Sequence, residues 1–387
     1  MSLAPIFSPP SVEEIELRRD RVRAEMEKRG LDLYVAASPD NVFYLTNFAN
    51  YVHERPFILV MGRTGTPRFV VPKLEVPHVE TRRVGPLDLV SYREFPAPEG
   101  ERWIDGFQPL FDPGQTVGVE SICPLQIFEA IPGTRVRSDV VDDVRMVKTD
   151  YEKGRIAYSS ELVSDAHAHL LDIAKPGATG ADVSGALSRG LSGRLLADTP
   201  TANLLATSIF AFFQPPSVSH DPHNFTDIFM EMVEGGPHVS VINCRLNGYG
   251  AEIERTFFLG AVPDAAKRPF EVMMEARHRA LELTKPGAVM GEVDAAVNAV
   301  FHKAGYSDNL LHRTSHSISV TGHEAPFLAE GYEREIEPGM FYTIEPGVYL
   351  PGVGGFRHSD TVMTTEGGNV ILTTGPESLE ELTLPVG

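Results

Sequence analysis

Two carboxylates, Glu252 and Glu254, stand two residues apart in a largely apolar stretch over 249–258. In an extended strand that spacing sends both to one face, because side chains alternate with period two. Neighbouring like charges repel and lose hydration unless a cation sits between or beside them. The pair therefore reads either as a solvated strand edge or as the seat of a metal or an organic cation. Three further clusters can join it. One holds Phe213, Gln214 and His223, a second His316 and His323, a third Glu345 and Asp360. Imidazoles and carboxylates at polar, glycine-rich strand ends move protons or hold ions near neutral pH. Without a metal, such a set suits a planar carbon between nitrogens that carries delocalised positive charge. Glu254 and Glu345 can pair with its N–H edges, and His223 can activate water or carry the proton to the leaving nitrogen. Glu254 can instead attack that carbon as a nucleophile.

The elements that must hold these groups are legible in outline. Asn247 and Gly248 form a two-residue hairpin signal, since both tolerate positive φ. The strand before it, carrying Val239, Val241 and Asn243, is therefore predicted to pair with the strand of Glu252 and Glu254. Helices are predicted over about 151–174 and 265–283, stopped by Lys175-Pro176-Gly177 and Lys285-Pro286-Gly287. The two stops lie 110 residues apart in matched surroundings, which points to an internal duplication. Ahead of them, Ser11 and Glu14 offer a helix N-cap. Strands are predicted at 31–37, 57–61, 68–71 and 117–120, so this first part reads as a compact α/β domain. The boundary falls in 145–149.

Composition narrows the partners. The chain has 387 residues and a formal net charge of −19, which argues against nucleic acid. No apolar run nears the roughly 20 residues that span a bilayer, so no membrane partner is expected. The acidic, amphipathic start does not read as a secretory signal. Two distant cysteines, Cys123 and Cys244, suit a reducing, cytoplasmic setting.

The second part resembles the pita-bread fold shared by methionine aminopeptidase, proline-specific peptidases and creatinase. Ile336-Glu337-Pro338-Gly339-Met340 followed by Thr343-Ile344-Glu345-Pro346-Gly347 is similar to the segment before that family's acidic ligand. His316 and His323 fall on its two histidines. The first part resembles the creatinase-type N-terminal domain. The resemblance implies an α/β (α+β) protein, with a creatinase-type domain over 1–148 and a pita-bread catalytic domain with pseudo-twofold duplication over 149–387. Peptidase members carry five metal ligands: two aspartates, a histidine and two glutamates. Here His316 and Glu345 match, and Glu252 falls on the second aspartate. The first aspartate lies near Asn243, in a segment two residues shorter, and the last glutamate aligns with Ser359, beside Asp360. An amide and a hydroxyl are poor bridges between two cations. The expectation is a site with no metal and no cofactor.

The departures run towards creatinase, the metal-independent branch. Asn243-Cys244, Gly248-Tyr249 and Ile253 to Phe257 resemble its catalytic strand; Phe213-Gln214 and His223-Asn224 resemble the loop of its catalytic histidine. Arg55-Pro56 resembles the arginine that creatinase-like homodimers send into the neighbouring site to hold a substrate carboxylate. An arginine that creatinase carries after its second histidine is replaced near Phe327. Within that branch the sequence most resembles ectoine hydrolases. The resemblance implies opening of the cyclic amidine of ectoine, a small zwitterion, to N-acetyl-L-2,4-diaminobutyrate. It assigns catalysis to Glu254, His223, Glu345, His316 and His323, and substrate binding to Arg55, Glu252, Phe213 and Asp360. Creatine amidinohydrolysis and metal-dependent Xaa-Pro peptidase activity are the alternatives.

Overall fold

A computed structural model of the chain describes residues 3–51 and 54–386. They divide into two compact units, Ser8–Arg145 and the remainder from Met146 onward joined by the few residues before Ser8. In the first unit, Ser11 caps the helix Val12–Lys28 by accepting from the Glu14 amide, and Ile15, Val22 and Met26 are buried. The chain then builds a six-stranded mixed sheet, in the order Asp88–Tyr92, Arg68–Pro72, Ile58–Gly62, Leu33–Ala36, Thr116–Val119, Thr134–Arg137. The predicted strands fall within a residue or two of those observed, as expected of edges that fray.

The second unit is built on a larger sheet. Its path runs Phe341–Ile344, Ser359–Thr365, Tyr249–Leu259, Gly235–Leu246, Ser208–Gln214, with Gly368–Ile371 and Thr383–Leu384 added at the side. The central pair is the predicted hairpin. Asn247 and Gly248 take φ of 51° and 101°, and the register sets Asn243 opposite Glu252 and Val241 opposite Glu254. On the next strand Ser359 lies opposite Glu254, and Asp360 opposite Ile253.

Helices Asp150–Ile173 and Asp264–Leu283 supply side chains to the apolar core that contains Ile242, Ile253 and Phe257 of the sheet. The alternate residues of the same strands are left to face the other way.

The duplication is visible in the backbone. The Gly177 amide donates to the Met232 carbonyl and the Gly287 amide to the Ile336 carbonyl, each at 2.9 Å. The carbonyls of Ala178 and Ala288 accept in return, from the amides of Met232 and Ile336. Both glycines sit at φ near 80°, which a side chain would strain. The Lys-Pro-Gly-Ala sequence thus does one job twice, ending a helix and pinning the next one to a returning segment.

Candidate active site

Glu252 and Glu254 project from the free face of the sheet into a cavity of about 410 Å³, of the size that holds a small molecule. Its walls include Phe210, His223, Phe225, Asn243, His312, Arg313, His316, His323, Glu345 and Arg357. Glu252 is held from two sides: the Ser359 hydroxyl donates to one oxygen at 2.7 Å, and the Asn243 amide to the other. The residues aligned with two of the family's carboxylates therefore act as hydrogen-bond donors to the one carboxylate left between them.

His316 comes from the short strand Ser315–Ser317. Its Nδ1 lies 3.0 Å from the Ser317 carbonyl, leaving Nε2 facing a Glu345 oxygen at 3.2 Å. The Glu345 amide donates to the Thr314 carbonyl, which ties the two segments together. His323 stacks on His316 with ring centroids 3.8 Å apart. The next residue, Glu324, is buried, pairs with Lys148 at 2.7 Å and accepts from the Thr321 hydroxyl, which fixes the loop.

Burial disfavours charge on His316, but Glu345 and then Glu252 outweigh it and raise its pKa to about 9. Glu345 is correspondingly held below the usual carboxylate range, against its burial, chiefly by His316. Burial, with Glu345 beside it, pushes Glu252 up. At the lip, desolvation and the positive charges of His316 and Arg313 lower His323 to about 4, so it is neutral at pH 7.

Glu254 is not free. Both of its oxygens are engaged by the guanidinium of Arg357, through Nε and through Nη2 at 2.9 Å, while Nη1 donates to the Tyr349 hydroxyl. A carboxylate held in this fork cannot present itself to an electrophilic carbon, so the expected role of Glu254 as nucleophile does not fit the geometry. Burial raises its pKa to about 8 against the pull of Arg357.

The structure thus gathers Glu252, Glu254, His223, His316, His323 and Glu345 around one cavity. It does not bring Phe213 or Asp360 there. Phe213 is fully buried, with Phe212 stacked beside it and His238 nearby. Period two sends it to the core and leaves Phe210, opposite Asn243, on the cavity wall. Asp360 points to the core side of the sheet, where Arg255 and Arg277 meet its two oxygens at 2.9 and 2.6 Å. Arg55 lies in the other unit, paired with Glu54 and Glu94.

Sequence reasoning missed Phe210, Phe225, His312, Arg313, Tyr349 and Arg357. Only Arg357 had a usable signal, its spacing of two from Ser359.

Glu252, His316 and Glu345 each offer a ligand atom within 4.8 Å of the others. Two carboxylates and one imidazole form a donor set that hard and borderline divalent ions accept. The charges agree in sign: with His316 neutral as a ligand, the carboxylates Glu252, Glu254 and Glu345 outnumber the guanidiniums of Arg313 and Arg357 in the lining, and a cation offsets the excess. A dinuclear centre does not fit, because Asn243 and Ser359 supply no anionic bridge.

Residues 154–366 match the model of metallopeptidase family M24, more than half of the chain. The chain belongs to that family. Residues 18–147 match the creatinase/prolidase N-terminal domain, so the M24 pita-bread domain and its N-terminal companion account for both units.

Among M24 relatives, the chain is 28% identical to the "Probable dipeptidase PepE" of Mycobacterium tuberculosis, covering 93% of this chain and 97% of that protein. It is 25% identical to the Xaa-Pro dipeptidase of Pyrococcus furiosus, over 92% and 97%. The solved prolidase of Thermococcus sibiricus superposes with a TM-score of 0.84 over 96% of this chain and 99% of that one; at 22% identity this speaks for the fold alone.

These names overturn the expected ectoine hydrolase and, with it, a hydrolase of non-peptide C–N bonds. Full-length relatives of this M24 chain carry the names of peptidases, which favours the Xaa-Pro peptidase alternative. The two missing acids are what pulled the sequence reading towards creatinase. They remove a bridge between ions, while a three-residue ligand set for one ion survives.

Proposed function

We propose that this M24 protein is a metal-dependent dipeptidase, with Xaa-Pro dipeptides as its first candidate substrates, working with one divalent ion held by Glu252, His316 and Glu345. The observation that carries it is the convergence of those three side chains, each offering a ligand atom within 4.8 Å of the others, on one cavity. The names of the M24 relatives support the reaction class.

The ion, when bound, would polarise the scissile carbonyl and lower the pKa of a water. The chain's own residues do the rest. The Ser317 carbonyl beside Nδ1 fixes the His316 tautomer, aiming Nε2 inward. Asn243 and Ser359 hold Glu252 in one orientation. His323, kept neutral, can offer a ring N–H to the oxygen that gains negative charge. His223, exposed at the rim, can pass a proton from a ring nitrogen to the leaving amine. Phe210 and Phe225, with ring centroids 4.9 Å apart, give an apolar wall against a small ring such as proline. Arg55 is our candidate for a contribution from a second copy of the chain. Mixing Arg55→Ala and Glu345→Gln chains should then recover activity.

The test is hydrolysis of alanyl-proline, glycyl-proline and alanyl-alanine by chelator-treated protein, before and after adding Mn²⁺, Co²⁺ or Zn²⁺. Cleavage that needs one equivalent of ion is the expected result. Absence of cleavage with every ion, or cleavage indifferent to chelator, would overturn the reading.

A further inference from the structure

The cavity holds two guanidinium groups, and they are not equivalent. Arg357 is fully committed: Nε and Nη2 go to Glu254 and Nη1 to Tyr349. Arg313 is anchored but unspent. Its Nε donates to the Ser315 carbonyl at 3.1 Å, and its guanidinium carbon lies 4.5 Å over the ring of Phe327. These two contacts fix the plane of the fork, one by direction and one by stacking. Its two terminal amines meet no acceptor among the described residues, while the side chain lines the cavity. The charge reaches the site, because Arg313 is among the groups that depress His323.

The cavity is therefore bipolar. Glu252, Glu254 and Glu345 make one wall acidic, and Arg313 on another wall is a preset fork for an anion with planar, two-oxygen geometry. We infer that Arg313 is the residue that selects substrates with a free C-terminal carboxylate, receiving that carboxylate through its terminal amines. The substrate class narrows to zwitterionic dipeptides, and C-terminally blocked peptides are rejected for want of the charge. An arginine held in place by Phe327 loses little side-chain entropy on binding, so the discrimination appears mainly in affinity.

The inference deepens the dipeptidase reading and rests on it for the identity of the substrate, so its test uses a probe that needs no turnover. The probe is alanyl-proline with its peptide carbonyl reduced to methylene, and the C-terminal amide of the same compound. Calorimetry on the full chain, with and without Mn²⁺, should show the wild type preferring the acid by at least about tenfold, the scale of one charge-assisted hydrogen bond. Arg313→Met keeps an apolar stem against Phe327 and should bind acid and amide alike; Arg313→Lys should recover part of the preference. Equal binding of acid and amide by the wild type, no binding of either, or an unchanged preference in Arg313→Met would overturn the inference. Failure of alanyl-proline turnover by wild-type protein that still prefers the acid probe would sink the peptidase reading alone.

Discussion

The two faces of one sheet treat charge in opposite ways. On the cavity face, Glu252 and Glu254 look out with Glu345 near them, and Arg357 is bound to only one of the three carboxylates. On the core face, Arg255 from one residue along the same strand and Arg277 from the helix Asp264–Leu283 close on Asp360, and Thr373 adds a hydrogen bond at 2.8 Å. The histidines follow suit. His316 on the cavity face gains a proton easily, with its pKa raised to about 9, whereas burial and Arg255 hold His167 on the core face down at about 3. A closed network needs nothing from outside and serves stability. An open one, short of positive charge, stays ready to bind. The contrast separates a structural cluster from a working one more sharply than residue type does, since both faces are built from the same kinds of side chain.

The largest effect expected from breaking this contrast lies on the closed face. Asp360→Asn leaves two buried guanidiniums facing an uncharged amide and should cost about 3–5 kcal/mol in denaturant unfolding, with metal stoichiometry unchanged in whatever protein remains folded. On the open face, Glu252→Gln should lower dipeptide turnover on the order of 10²–10³-fold and weaken ion binding, while the unfolding midpoint of the metal-free protein stays or rises, because burial and Glu345 disfavour a charge on Glu252. Equal loss of stability from the two substitutions would erase the distinction.

The pH response sharpens it next. A divalent ion must displace the proton of His316, so metal affinity measured by competition should rise roughly tenfold per pH unit until about pH 9. The core-face histidines stay neutral in the fold, where burial lowers both His167 and His358. An unfolded histidine takes its proton near pH 6.5, so stability should fall as pH drops through that value and keep falling towards about 3, the folded value for His167. In metal-free protein His316 contributes the reverse: stabilising below about pH 6.5 and lost as pH rises through 9. Imidazole NMR titrations alongside pH-dependent unfolding would check both signs. The smallest change is compositional. Asn243→Asp with Ser359→Glu should raise the number of bound Mn²⁺ from one towards two, counted by equilibrium dialysis.

Four of the six strands of the first sheet, the hairpin and the repeated helix stops were legible because local chemistry dictates them: Asn247-Gly248 accepts positive φ, and Lys-Pro-Gly ends a helix. The acidic pair was legible through period two. The resemblance, by contrast, assigned two residues that lie in the other phase of their strands: Phe210 lines the cavity in place of Phe213, and Asp360 faces the core behind Ser359. The pairing of Glu254 with Arg357 lay beyond reach, since it joins residues 103 positions apart through a sheet whose strand order is set by tertiary packing. Chemistry was misjudged for a related reason. Counting absent ligands showed what two ions would lack, and only the gathered side chains showed what one ion would still find.

The hairpin has a further consequence for how the chain comes to its native state. Asn243 meets Glu252 across nine residues, whereas Ser359 reaches the same carboxylate from 107 positions away. Short loops close early and distant contacts late. During synthesis Glu254 therefore waits for its partner until Arg357 has left the ribosome. A chain not yet extended to Arg357 thus keeps Glu254 without its guanidinium partner, so the sheet's acidic face can be closed only after its hairpin has formed.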